Sequence, residues 1–190
     1  MGYPAAKPFI TVEEYLAGEQ LSDLRHEYFD GTVKAMAGAS VRHNIAATFV
    51  SRNLQNKLAG GPCKTFVSDV KIRTRARQKD LFYYPDVMVC CDPRDQHPLY
   101  REYPKLVVEV LSQDENKDLV EKYYVYERIE SVEEYLIIRP DPEPGKFEVL
   151  RHLKSEGWDP GISVAGGILR LESVGVDLDL DELRRELESV

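Results

Sequence analysis

The chain has 190 residues, 43% of them hydrophobic and 31% charged, with a formal net charge of −8. That size and balance fit one globular domain over residues 1–190 and exclude a disordered chain and a general DNA-coating protein, which would carry a broadly basic surface. No apolar run approaches the roughly 20 residues that span a bilayer, and no charged-then-apolar leader opens the chain. Cys63, Cys90 and Cys91 make no CxxC pair and no even-numbered framework. Cys90 and Cys91 fall inside an apolar run, so buried thiols and a reducing, cytoplasmic setting are expected.

Thr11-Val-Glu-Glu14 has capping-box spacing and predicts a short helix over 13–17, ended by Gly18. Asp30-Gly31 between the β-prone runs 25–29 and 32–36 predicts a hairpin. Glu27 lies on its first arm, on the same face as Phe29. It is either an exposed hairpin carboxylate or part of a site. Ser40 can cap a helix over 41–58, stopped by Gly60-Gly61-Pro62, with His43 in its first turn. A His there either donates to a ligand or faces water.

Strands are expected over 63–68 and 70–77. Lys71, Arg73, Arg75, Arg77 and Lys79 recur at every second residue, so in one strand all would project from one face. Such a stripe reads as a footprint for phosphates or as charge protecting a sheet edge. Residues 84–91 and 105–112 are near-continuous apolar runs of strand length, as in strands buried on both faces. Each carries a carboxylate, Asp86 and Glu109. An ionised carboxylate in such a place is paired, metal-bound or shifted in pKa. Two acids on neighbouring central strands would seat a hard divalent cation. The alternative is that Asp86 caps a turn after Pro85 and Glu109 pairs with a nearby base.

Residues 92–98, with His97, read as loop. Ser112-Gln-Asp-Glu115 again has capping-box spacing, before a helix over 114–128 with Leu119, Tyr123 and Tyr126 as its apolar stripe. Asp118 and Lys122 are spaced to pair on that helix. Strands are expected over 132–139, 147–153, 168–171 and 176–180, and Asp181 can cap a final helix to 187. Asp177, Asp179 and Asp181 alternate with leucines and lack the glycine and closing glutamate of an EF-hand loop.

Six pieces stand in one order: His26-Glu-Tyr-Phe-Asp-Gly31, Met36-Ala-Gly-Ala-Ser40 with His43-Asn44, Ser68-Asp69, Tyr83-Tyr-Pro-Asp-Val87, Val107-Val-Glu-Val-Leu-Ser112 and Asp118-Leu-Val-Glu-Lys-Tyr123. Each alone is common. As an ordered set over nearly the whole chain they resemble the Uma-two family of restriction-endonuclease-like proteins, within the PD-(D/E)XK nuclease superfamily. The resemblance implies an α/β (α+β) fold with a restriction-endonuclease-like core, a central mixed β-sheet flanked by helices. It implies that Asp86 and Glu109 hold Mg2+ or Mn2+ with the backbone carbonyl of Val110, and that Glu27 is a further acid at the site. One departure stands out. The superfamily lysine would fall two residues after Glu109, where this chain has Leu111. Lys122 on the following helix matches the position to which family members move it.

These residue types suit phosphodiester hydrolysis, in which a carboxylate-bound metal activates water and an ammonium stabilises charge on the phosphoryl group. The expected function is therefore a Mg2+- or Mn2+-dependent endonuclease acting on DNA. Asp86, Glu109, Lys122 and Glu27 would be its catalytic residues. His43, Lys71, Arg73, Arg75 and Arg77 are candidates for substrate binding, and a homodimer is plausible for cutting two strands. Leu111 and the acidic net charge motivate the alternative of a catalytically degenerate nuclease-fold domain that binds or regulates. A third reading is a metal-dependent hydrolase of a small phosphorylated substrate.

Overall fold

The computed structural model describes residues 9–111, 116–141, 143 and 145–190. Helix α1 (Val12–Leu21) opens on the Thr11 capping box, with both reciprocal bonds to Glu14 present. It continues through Gly18, where a stop was expected. The next residue, Glu19, is buried and accepts hydrogen bonds from the Tyr84 hydroxyl (2.7 Å) and the His26 backbone (3.2 Å). Those tertiary bonds outweigh the ~1 kcal/mol helix cost of a glycine.

Strands β1 (His26–Phe29) and β2 (Thr32–Ala35) form the expected hairpin. Asp30 and Gly31 both take positive φ, 43° and 92°, as a tight primed turn requires. A Cβ on Gly31 would sit 2.1 Å from the Phe9 ring. Gly31→Ala is therefore expected to lower folding stability by about 1–3 kcal/mol through strain and displacement of Phe9, read as a lower urea midpoint.

Helix α2 (Val41–Lys57) follows Ser40, whose hydroxyl accepts from the His43 N–H. Then come β3 (Lys64–Val67), β4 (Lys71–Ala76), β5 (Lys79–Tyr83), β6 (Val87–Cys90), β7 (Tyr100–Arg101), β8 (Pro104–Val110) and α3 (Asn116–Tyr126). The chain ends with β9 (Glu134–Arg139), β10 (Glu148–Leu153), β11 (Ile162–Val164), β12 (Ile168–Leu171), β13 (Val176–Asp179) and α4 (Leu180–Glu188). Asp179 caps α4, two residues before the Asp181 expected in that role, by accepting from the Glu182 N–H. The capping box at residues 112–115 lies outside the described residues.

The architecture is mixed α and β. The central sheet has six strands, ordered β11-β10-β9-β8-β6-β3, with β8 and β9 parallel and the other pairs antiparallel. A second sheet has the order β2-β1-β5-β4-β7, and β12-β13 pair as a small third. Alternation splits the central sheet between two cores. Val87, Val89, Leu106, Val108 and Val110 face α2 and α4, whereas Met88, Cys90, Val107 and Leu111 face α3. Glu109 shares the α3 face with Val107 and Leu111.

The run 84–91 is not one strand. The chain leaves the second sheet at Tyr83 and enters the central sheet at Val87, crossing at Tyr84-Pro85-Asp86. Pro85 has no N–H to offer a ladder, so neither sheet extends through it.

The expectation that Cys90 and Cys91 are both buried thiols is corrected at Cys91. Cys63 and Cys91 are joined in a disulfide, and Cys90 alone is a buried thiol. In the antiparallel β3–β6 pair Lys64 lies opposite Cys90, so the next position outward sets Cys63 beside Cys91. Cys90 points the other way, into the cluster with Met88 and Val107. Among the described residues, no helix is long and apolar enough to cross a membrane.

Candidate active site

Four elements converge beside the Pro85 crossing. Asp86 is 8% exposed, and its Oδ2 accepts the Val110 N–H at 2.7 Å and lies 3.2 Å from His43 Nε2 in the first turn of α2. Glu109, 5% exposed near the C-terminal end of β8, accepts the Tyr126 hydroxyl on Oε1 at 2.8 Å and the Lys122 ammonium on Oε2 at 3.2 Å. Lys122 also lies 3.3 Å from Oε1 of Glu27, which is 8% exposed on β1. One ammonium from α3 thus stands between an acid from each sheet.

The electrostatics follow from that crowding. Burial pushes the Glu109 carboxyl up to about 7, with the charge of Asp86 adding to the rise and Lys122 and Tyr126 opposing it. Burial disfavours the Lys122 ammonium, but Glu109 and Glu27 outweigh it and raise its pKa above that of an ordinary lysine. Burial, reinforced by Glu109, keeps the Tyr126 phenol protonated and hence a donor.

Leu111 stands where the superfamily lysine would be. It is buried in the core cluster with Val107 and Tyr126, and its N–H bonds to the Ile138 carbonyl at 2.8 Å. The ammonium comes instead from Lys122, one helix later. The Asp118 side chain, expected beside Lys122, lies outside the described residues. The sequence marks Tyr126 as part of an apolar stripe, whereas its hydroxyl is bound to Glu109. Its spacing of four from Lys122, one helical turn on the same face, was the available signal.

The basic stripe does not form as expected. Arg77 and Gln78 take φ of 51° and 68° in the turn between β4 and β5, so Arg77 and Lys79 leave the strand that carries Lys71, Arg73 and Arg75. Lys71 is buried with its ammonium over the Tyr84 ring, 5.0 Å from the centroid, and burial lowers its pKa. Arg73 and Arg75 both bind Asp80 at 3.0 Å, and Lys79 lies 3.3 Å from Asp30. Arg73 and Arg75 border a separate cleft of about 770 Å3, with Asp92, Arg94, Glu102 and Lys105 among its walls.

The carboxylates open into a recess of about 440 Å3 walled by Glu27, Lys34, His43, Asp86, Glu109 and Lys122, with residues 35–39 also lining it. The family model for Uma2, described as "Putative restriction endonuclease", matches residues 12–178, nearly the whole chain. The chain belongs to the Uma2 family. Two uncharacterized proteins of Synechocystis sp. (strain ATCC 27184 / PCC 6803 / Kazusa) are similar to it along most of their length. The first, slr1290, is 35% identical over 184 residues, covering 95% of this chain and 94% of the relative. The second, sll1609, is 31% identical over 138 residues, covering 70% and 77%. A crystal structure of a "putative nuclease belonging to DUF820" from Anabaena variabilis ATCC 29413 shares the fold, with a TM-score of 0.67. Its identity is 13%, and the match covers 87% of this chain and 93% of that one. Uma2 membership and this shared fold support a nuclease-like function.

Proposed function

We propose that this Uma2 protein is a Mg2+- or Mn2+-dependent endonuclease that hydrolyses DNA phosphodiester bonds, with Asp86 and Glu109 as the ligands of the ion and Lys122 beside the reacting phosphate. The observation that supports this most is the meeting of three buried carboxylates and one ammonium, from β1, the Pro85 crossing, β8 and α3, in one recess.

The donor set suits a hard cation. Mg2+ typically takes one or two carboxylates and fills its shell with water and phosphate oxygens. Among the described residues, no group of three or more His, Cys, Asp or Glu side chains is gathered to enclose a metal by itself. Asp86 and Glu109, with the Val110 carbonyl, supply what such a shared shell needs from the protein. When bound, the ion supplies Lewis acidity toward the phosphoryl oxygens and lowers the pKa of its water.

The protein's own groups do the rest. The Val110 N–H and His43 hold Oδ2 of Asp86, and Tyr126 holds Oε1 of Glu109, so both carboxylates are oriented before substrate arrives. Lys122, kept charged by its two acids, faces the negative charge that develops on the phosphoryl group. Glu27 orients Lys122 and stands at the recess as a proton acceptor for the attacking water.

Supercoiled plasmid is expected to be nicked or linearised in Mg2+ or Mn2+, and to stay intact in EDTA. Asp86→Asn, purified in parallel, should lose the activity. Equal cutting by the variant would mark a contaminant and overturn the assignment. An inert wild type whose melting temperature ignores both metals would favour a nuclease fold kept for binding alone.

A further inference from the structure

The Cys63–Cys91 disulfide has no part in the chemistry of the recess, yet its place in the fold ties it to that recess. β3 is the outermost strand on its side of the central sheet and pairs with β6 alone. Its own side chains anchor it weakly. Lys64 and Val67 are exposed, Thr65 and Phe66 are half-buried, and the Thr65 hydroxyl has no hydrogen-bond partner. An outer strand with so little buried surface belongs to the parts of a fold that open locally at low cost. The disulfide closes one end of the β3–β6 pair, next to Lys64 and Cys90. At the other end Val67 lies opposite Val87. Ser68 and Asp69 follow Val67, Asp86 precedes Val87, and all three wall the recess. Disulfide and recess are thus the two ends of one ladder of four residue pairs, about 14 Å long. α2 packs on β3, and its first turn brings His43 to Asp86.

The disulfide is placed for exchange. Cys63 and Cys91 are both partly exposed, and Cys91 lines the cleft of about 770 Å3 beside Arg94 and Lys105. Exchange begins when a thiolate attacks one sulfur, so access to that sulfur governs it. Cys90 does not compete. It is buried on the other face of β6, and burial pushes its thiol up, so it stays protonated.

We propose that Cys63–Cys91 is a redox switch on the recess: closed, it clips β3 to β6 and holds the Ser68–Asp69 wall beside Asp86; opened by a dithiol reductant, it frees β3 and weakens the hold of the site on its cation. The consequence for cutting rests on the nuclease reading, and the release of β3 does not. A thiolate of the reductant attacks Sγ of Cys91, the S–S bond breaks, and Cys63 leaves as a thiolate that takes up a proton. The second thiol of the reductant, deprotonated, then displaces Cys91, which is protonated in turn. Two electrons pass to the protein, and the reductant ends as a disulfide.

The test compares the wild type before and after dithiothreitol, removed by desalting under nitrogen, with the Cys63→Ser/Cys91→Ser double variant beside it. Alkylation in denaturant followed by mass spectrometry should count one thiol before reduction and three after. On reduction, amide hydrogen exchange over 63–69 should speed up at least tenfold and Mn2+ affinity by calorimetry should fall at least threefold. Plasmid nicking at limiting Mn2+ should fall with it. The double variant should show the reduced values with or without dithiothreitol. Should that variant fail to fold, reoxidation of the reduced wild type should restore the first values.

A disulfide that dithiothreitol fails to open in the folded protein, or reduction that leaves exchange and Mn2+ affinity unchanged, overturns the switch and leaves the nuclease reading intact. Faster exchange at constant Mn2+ affinity also overturns it, since the opening then stops short of the site. Weaker Mn2+ binding on reduction, with no plasmid cut in either state, upholds the switch and overturns the nuclease reading. No Mn2+ binding in either state overturns both.

Discussion

Glu109→Gln is expected to abolish DNA cleavage while making the metal-free protein harder to unfold. The substitution keeps the size of the side chain and leaves an oxygen for the Tyr126 hydroxyl, which now sits 2.8 Å from Oε1. What it removes is charge. Glu27, Asp86 and Glu109 place three buried acids around the single ammonium of Lys122. Burial and the nearby Asp86 both disfavour the ionised Glu109. Neutralising it leaves Lys122 with Glu27 as a partner and should raise stability by about 1–2 kcal/mol, the usual gain when a functional group held at a cost is removed. Activity should fall on the order of 10³-fold, because the reaction loses a ligand of the ion that would polarise the phosphoryl oxygens and activate water. The melting temperature in EDTA and plasmid cutting in Mg2+ read the two effects separately. Mg2+ at saturating concentration should stabilise the wild type, by about 2.7 kcal/mol at a hundred times Kd, and the variant far less. A variant that loses both activity and stability would make Glu109 a structural partner of Lys122 and would sink its role as a ligand.

The sequence exposes β8 because it is apolar at almost every position, and a carboxylate in such a run is conspicuous. The hairpin at Asp30-Gly31 and the caps at Thr11 and Ser40 are equally local, and local chemistry settles them. Lys122 was reachable only by resemblance to a family, since its distance from Glu27 and Glu109 depends on how α3 crosses the sheet. The role of Pro85 was hidden for a different reason. A continuous apolar run cannot reveal where the chain passes from one sheet to the next, and here residues 84–86 cross between β5 and β6, which belong to different sheets. The pairing of β3 with β6, which brings Cys63 to Cys91, is long-range and leaves no local mark. The basic stripe misled because alternation was extended through Arg77. Once Arg77-Gln78 is a turn, Arg75 faces Asp80 across the hairpin, and an acid only five residues away neutralises bases that looked unopposed.

Lys122→Met gives the second large effect, and it separates charge from packing. Methionine retains most of the stem, so the apolar contacts of α3 should survive, but Glu27 and Glu109 would then share the recess with no cation between them. Removing one partner of a buried ion pair costs about 3–5 kcal/mol, because the charge left behind is uncompensated. The metal-free variant should therefore melt well below the wild type. Divalent cations should reverse much of that loss. A cation held at Asp86 and Glu109 supplies the positive charge that the ammonium provided, so Mg2+ should raise the melting temperature of Lys122→Met more than that of the wild type. Cleavage should not return with stability, since the ion cannot also fill the place of the ammonium against the phosphoryl oxygens. Lys122→Arg provides the complementary case. It keeps the charge and so should keep the metal-free stability, but a planar guanidinium does not reproduce a point charge in a confined space, and activity should still fall. If metal fails to rescue the folding of Lys122→Met, Asp86 and Glu109 do not hold a cation, and Lys122 is a structural tie between the two sheets and α3.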